Sequence, residues 1–452
     1  MKANRLNQHA CQESPQLTRI NQPRRRVVLS LCLLGCLALV GFSTASGQQQ
    51  RRRAGRSRTT TATTAASGAP QTPASQTQPV SQQDFDKLVA EANAAREGDR
   101  VDEAIGLYRK AIGAQPQWAE GWWYLATLYY DRNNYTEAAR AFAEAARLQP
   151  KAGAVWAMLG LCEFQLERYD DALTHIQQGR SLGIGDNVEL TRVMRYHEGI
   201  LSTYKGEFER AQQTLGTLSF EGLKSEDLII GLGLSVLRMA MLPKQVDINY
   251  RDRAAVRRAG MAEHFSAQKN VADATREYEL LAKDYPTFPN AQYAYGRFLL
   301  GNRDDEGAIA AFERELKNSP KHALARIQIA YVKLRNKEAA AGLPLAEEAV
   351  KLYPRLPLGH YILGRLLFDV GQNARAIEEL ELAGRMVPTE PKIYFALTRA
   401  YSKANRKADA DRARETFTRL NQQAEAAAGR GETSGSALPE DNAGSEQPAQ
   451  PK

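Results

Sequence analysis

The chain has 452 residues, 43% of them apolar and 25% charged. Those proportions belong to a folded globular protein, and the length suits two or three ordinary domains or one extended array. The net charge of +8 suggests nucleic acid only until it is located. Residues 1–80 hold eleven of the 60 Lys and Arg and one acidic residue, Glu13, leaving 49 basic and 51 acidic side chains for the remainder. The body lacks the basic face of a folded nucleic-acid binder, so nucleic acid is excluded as an expected partner.

Residues 1–47 have the form of an export signal. Arg24, Arg25 and Arg26 precede the uncharged run VVLSLCLLGCLALVGF, and the small residues STASG follow, with cleavage positions after Ala45 or Gly47. The sixteen residues from Val27 to Phe42 are slightly short for a membrane span. The segment therefore reads as a signal peptide, with an uncleaved signal anchor as the competing form. A lipidated Cys36 behind Leu33, Leu34 and Gly35 is a third form, although the residues after it stay apolar. All three imply an exported bacterial protein, periplasmic or otherwise extracytoplasmic. Membrane attachment is expected only through the anchor or through Cys36. Cleavage would leave Cys162 as the one remaining cysteine, so packing rather than an intramolecular disulfide must hold the fold.

Residues 48–81 are Gln, Arg, Thr, Ser, Ala and Pro with scarcely an apolar side chain. Such a segment cannot offset its ordering entropy by burial, and a disordered linker is expected. Its run RRRAGRSR at 51–58 is either a solvated tether or a contact for an anionic polymer or membrane surface. Residues 422–452 form a second low-complexity stretch, expected to be a disordered tail.

Between these ends the sequence repeats. Pro286, Pro320, Pro354 and Pro388 lie 34 residues apart, as do Pro116 and Pro150, and the two sets are 170 residues, five periods, apart. Ala104, Ala138 and Ala172 share the spacing, as do Ala274 and Ala308, and Ala376 and Ala410. Trp122, Leu125, Ala126, Tyr129, Ala138, Phe142 and Pro150 form the fullest unit. With these residue types at this period, the stretch from about Phe85 to Leu420 resembles the tetratricopeptide repeat family. The resemblance implies an all-α fold, a right-handed α-solenoid of about nine helix pairs. Small residues let the two helices of a pair nest, proline ends the second helix, and each pair covers the next. N-terminal repeats are expected over 82–184 and degenerate ones over 185–253, with Met241–Asp252 as a projecting loop. C-terminal repeats and a charged capping helix are expected over 254–421.

The stretch GWWYLATLYY at 121–130 carries five aromatic rings. Trp122, Leu125 and Tyr129 share one helical face, which predicts burial inside the stack. Counting from such core positions, and taking the groove that the family resemblance implies, Trp123, Tyr130, Leu161 and Phe164 face the groove in the N-terminal half. Tyr293 with Arg297, Tyr331, Tyr361 with Arg365, and Phe395 with Arg399 do so in the C-terminal half. An aromatic followed four residues on by arginine sits one turn away on the same face. Such pairs suit a ligand with apolar side chains and carboxylates. The alternative is that each arginine pairs with a neighbouring acid and each ring is packed.

No catalytic, cofactor or metal site is expected. His197–Glu198 lacks the second histidine of a zinc-protease helix, the other histidines are dispersed, and GLGLSV at 231–236 lacks the third glycine of a dinucleotide loop. Cys162 falls beside core positions as a small apolar residue. The expected function is a protein–protein interaction scaffold of the bacterial cell envelope, an assembly factor binding a peptide or partner protein in its groove. The alternative is a tethered binder of an anionic envelope polymer or membrane surface through the arginine-rich linker.

Overall fold

The computed structural model of the protein describes residues 81–248 and 250–429. The expected leader with Cys36, the linker and residues 430–452 of the tail lie outside the described residues. The described residues form two compact units, one ending at His197 and the other beginning at Glu198. The first contains α1 (Gln82–Glu97), α2 (Val101–Ala114), α3 (Ala119–Asp131), α4 (Tyr135–Leu148), α5 (Gly153–Gln165), α6 (Tyr169–Leu182) and the start of α7 (Val188–Tyr204). The second contains the rest of α7, then α8 (Phe208–Phe220), α9 (Glu226–Val236), a 3-10 helix (Pro243–Ile248), α10 (Tyr250–Ala267), α11 (Val271–Asp284) and α12 (Ala291–Gly301). It continues through α13 (Asp305–Asn318), α14 (Ala323–Arg335), α15 (Ala339–Leu352), α16 (Pro357–Asp369), α17 (Asn373–Met386), α18 (Pro391–Lys403) and α19 (Lys407–Gly429). Among the described residues there is no strand, and all the α-helices but α9 fall into nine successive pairs.

Apart from α8, the second helices of the pairs keep the period most strictly. α2, α4 and α6 begin at Val101, Tyr135 and Tyr169, and α11, α13, α15, α17 and α19 at Val271, Asp305, Ala339, Asn373 and Lys407, always 34 residues apart. Each pair turns through one left-handed residue: Asp99, Asn133, Glu167, Lys269, Arg303, Lys337 and Asn405, with φ between 56° and 64°, or the glycines Gly206 and Gly371 at 80° and 83°. Asn134, Asn270 and Asp304 then cap the following helix by accepting the backbone N–H three residues on.

Nesting rests on small residues facing large ones. A Cβ added to Gly160, Gly199, Gly296 or Gly364 would lie 2.8, 2.5, 2.6 and 2.7 Å from the side chains of Ile176, Leu215, Phe312 and Leu380. Ala104, Ala138, Ala172, Ala274, Ala308 and Ala376 are all 0% exposed. A further link repeats at the pair junctions. The indole N–H groups of Trp122 and Trp156 donate to the carbonyls of Pro116 and Pro150 at 2.9 Å, and His360 makes the same 2.9 Å bond to Pro354 in the same register. This bond holds the Trp122 ring at the edge of the core. All five rings of 121–130 are half-buried, whereas Leu125, Ala126 and Leu128 are buried.

The interruption expected over 185–253 holds one helix, α9, outside the nine pairs. Leu228 to Val236 in α9 is buried without a break, as a helix apolar on every side must be. Its glycines serve close packing: a Cβ on Gly233 would strike the carbonyl of Val256, and one on Gly260 that of Ile229, so α9 and α10 meet backbone to backbone. Of the stretch Met241–Asp252, expected to project, Pro243–Ile248 form the 3-10 helix, and Leu242 and Val246 are only 1% and 4% exposed. Those two side chains draw it into the core.

Candidate partner-binding face

In the second unit the first helices of neighbouring pairs touch, α10 with α12, α14 with α16 and α16 with α18. Residues at one register on these helices therefore line a common face. Arg297, Tyr331, Arg365 and Arg399 stand at successive 34-residue intervals on it, and Tyr293, Ile327, Tyr361 and Phe395 form a second such column. Tyr331 thus belongs to the arginine column and not to the ring column.

The rings of Tyr293, Tyr331 and Tyr361 are 2%, 3% and 2% exposed. Tyr293 packs against Phe312 and His322, at centroid separations of 5.8 and 5.0 Å. Tyr361 instead supports a cation: the Arg365 guanidinium lies 5.7 Å from its ring centre and donates to its hydroxyl at 3.1 Å. Arg335 takes the equivalent place 5.7 Å from the Tyr331 ring while pairing with Asp305. The aromatic–arginine motif therefore builds cations on buried ring faces.

The other two pairs separate. Arg297 turns away from a ligand role and donates to Gln212 at 3.4 Å, with Glu209 at 4.0 Å, joining α12 to α8. Phe395 is half-buried against Phe417 at 5.5 Å, and Arg399 reaches back 5.1 Å over the ring of Phe368 on the preceding first helix. Sequence reasoning missed Phe368, whose signal is its place four residues after Gly364 in the groove register. Arg399 is exposed and makes no ion pair among the described residues. The end of this face thus combines Arg365, Arg399 and the half-exposed rings of Phe368 and Phe395, a surface that presents charge-assisted donors beside apolar area.

In the first unit Trp123 meets Phe142 edge-on at 5.4 Å and Tyr130 meets Tyr135 at 5.5 Å, both half-buried. Leu161 is buried, and Phe164 packs on His197 at 4.6 Å. Among the described residues no cation lies over these rings, as one does in the second unit.

Burial pushes the Cys162 thiol up to about 12, which leaves no thiolate for attack. His197 is held neutral, its pKa lowered to about 4 by burial, with Nδ1 donating to the Val193 carbonyl at 2.7 Å. Among the described residues no three His, Cys, Asp or Glu gather in a metal-binding cluster, and no helix is long and apolar enough to cross a membrane.

The tetratricopeptide repeat profile matches residues 89–139, 125–186 and 260–323. No curated protein matches the chain. Among solved structures, MamA 41-end from Desulfovibrio magneticus RS-1 is 24% identical, covering 38% of this chain and 96% of that one, with a TM-score of 0.33. The MamA RS-1 ArsTM double mutant is 22% identical over 38% of this chain and 97% of its own, with a TM-score of 0.35. The APC/C hetero-tetramer Cut9–Hcn1 is 14% identical over 75% of this chain and 87% of its own, with a TM-score of 0.34. With the profile matched in both units, and helix pairs that turn, nest and terminate at 34-residue intervals, residues 89–186 and 260–323 are tetratricopeptide repeats.

Proposed function

We propose that this protein is an exported interaction scaffold of the bacterial cell envelope, holding an extended segment of a partner protein during assembly of a larger complex. The tetratricopeptide repeats support a protein-binding scaffold. The observation that carries the choice of surface is Arg399, exposed over the Phe368 ring beside Arg365 on Tyr361. Guanidinium groups held on rings are preorganised, so little side-chain entropy is lost when a carboxylate arrives. Phe368 and Phe395 offer apolar area for the neighbouring side chains of the same segment. Export rests on the leader alone, and Edman sequencing of the mature protein tests it: a start at Ser46 or Gln48 supports secretion, and an intact Met1 in a soluble fraction contradicts it.

The binding test is retention of envelope proteins by the immobilised full chain and by Arg365→Ala/Arg399→Ala. The double variant keeps the wild-type melting curve and loses at least tenfold in retention, the effect of about 1.4 kcal/mol or more. Unchanged retention removes the face from the account. Deletion of residues 48–81 distinguishes the polymer-binding alternative, because scaffold binding persists without the arginine run.

A further inference from the structure

An open depression of about 410 Å³ lies in the second unit among α11, α12 and α13, with Glu279, Lys283, Tyr295, Arg314 and Lys317 on its walls. One wall residue departs from the repeat: Tyr295 stands where positions one or two periods away carry Met261, Ile329 and Leu363. The connection beside it is also irregular: α12 begins five residues after Pro286, whereas α14, α16 and α18 begin three residues after their prolines. In a stack whose columns are dictated by packing, two coincident departures at one place point to a local demand other than packing.

The chemistry of that place is cationic with one flat wall. Lys283 and Lys317, one period apart, are exposed and make no ion pair among the described residues. Arg314 is held by donating Nε–H to Gln292 at 2.8 Å. Tyr295 is half-buried, stacked on Tyr278 at 6.1 Å with 16° between the planes. Glu279 is the one carboxylate on the walls, so cations exceed it by two. Ammonium groups act as point donors without a planar fork, and two of them beside a guanidinium suit a tetrahedral dianion better than a planar carboxylate. We propose that this depression binds a phosphate-bearing small molecule, with the phosphate among Lys283, Arg314 and Lys317 and a flat apolar part beside Tyr295. The site is independent of the partner-binding face, since Tyr295 and Arg297 are two residues, about 200°, apart around α12.

The test is calorimetric titration of the full chain at low ionic strength with phenyl phosphate, inorganic phosphate and benzoate. Phenyl phosphate binds at roughly millimolar Kd or better, about tenfold tighter than either inorganic phosphate or benzoate. Lys283→Ala/Lys317→Ala weakens it at least tenfold, Tyr295→Leu brings it to the level of inorganic phosphate, and Glu279→Gln tightens it about threefold. Leucine is already tolerated one or two periods away, and an unchanged melting curve verifies the fold of each variant. Absence of phenyl phosphate binding at about 10 mM, benzoate binding of equal strength, or a lysine double variant with wild-type affinity overturns the proposal. So does a parallel loss in Arg365→Ala/Arg399→Ala, which would mean one site and not two.

Discussion

Glu315 is 1% exposed at a register where one or two periods away carry Leu281, Ala349 and Ala383. Its carboxylate accepts the backbone N–H groups of Asn290 and Tyr293, both at 3.2 Å, at the start of α12. Burial raises its pKa, while these backbone bonds pull the other way. The residue thus supplies the helix cap that the lengthened connection, with Asn290 at φ 62°, leaves open. Glu315→Ala is predicted to cost about 1–3 kcal/mol in urea unfolding, because those buried donors lose their acceptor. A loss below about 0.5 kcal/mol would show that the cap is dispensable. His360 is a second buried polar device, 3% exposed, with Nδ1 facing Glu379 at 2.6 Å and Nε2 facing the Pro354 carbonyl. Both ring nitrogens face acceptors, a geometry that favours the imidazolium, and the bond to Glu379 raises its pKa. A folded pKa above the unfolded one gives stability that is complete below pH 6.5 and is lost as pH rises through the folded value. The melting-temperature gap between wild type and His360→Gln is therefore wider at about pH 5.5 than at about pH 9. A gap that is constant or grows with pH refutes the charged form.

Among the elements, the turns between paired helices share one geometry, which gives a direct test of the repeat. Lys337 holds the left-handed conformation, φ 61°, that Gly371 holds one period later. Lys337→Gly relieves the Cβ clash at some entropic cost, for a net gain of about 0.5–1 kcal/mol. Gly296→Val should cost about 1–3 kcal/mol, because its Cβ already meets the Phe312 ring. Both are read by chemical denaturation, and reversed signs would mean that turn and nest are not the constraints described. The period, the small columns and the prolines made the helix pairs legible in the sequence, because each is imposed locally by sterics. Two features were not legible. The apolar run of α9 reads as a helix, but one buried all round has no amphipathic period to show that it stands outside the pairs. Arg399 on Phe368 is a contact between neighbouring pairs, which spacing within one helix does not encode.

At the scale of the molecule, each of the two units is a sequence of helix pairs whose cores join along the chain. Burial continues from α14 through α19 in one cluster of the second unit. Stability in such a stack is a sum over nearest neighbours, so damage in one pair is felt mainly next to it. That separation lets the face at Arg399 and the depression at Lys283 be altered one at a time. The central claim is that the first-helix face at the end of the second unit contacts a partner. Its most direct measurement is site-specific photo-crosslinking in the native cell, with the reactive side chain placed at Phe395 and, as control, at the exposed Lys351 on a second helix. The account predicts a discrete adduct from position 395, weakened by Arg399→Ala, and none from position 351. No adduct from 395, or equal adducts from both positions, would contradict it.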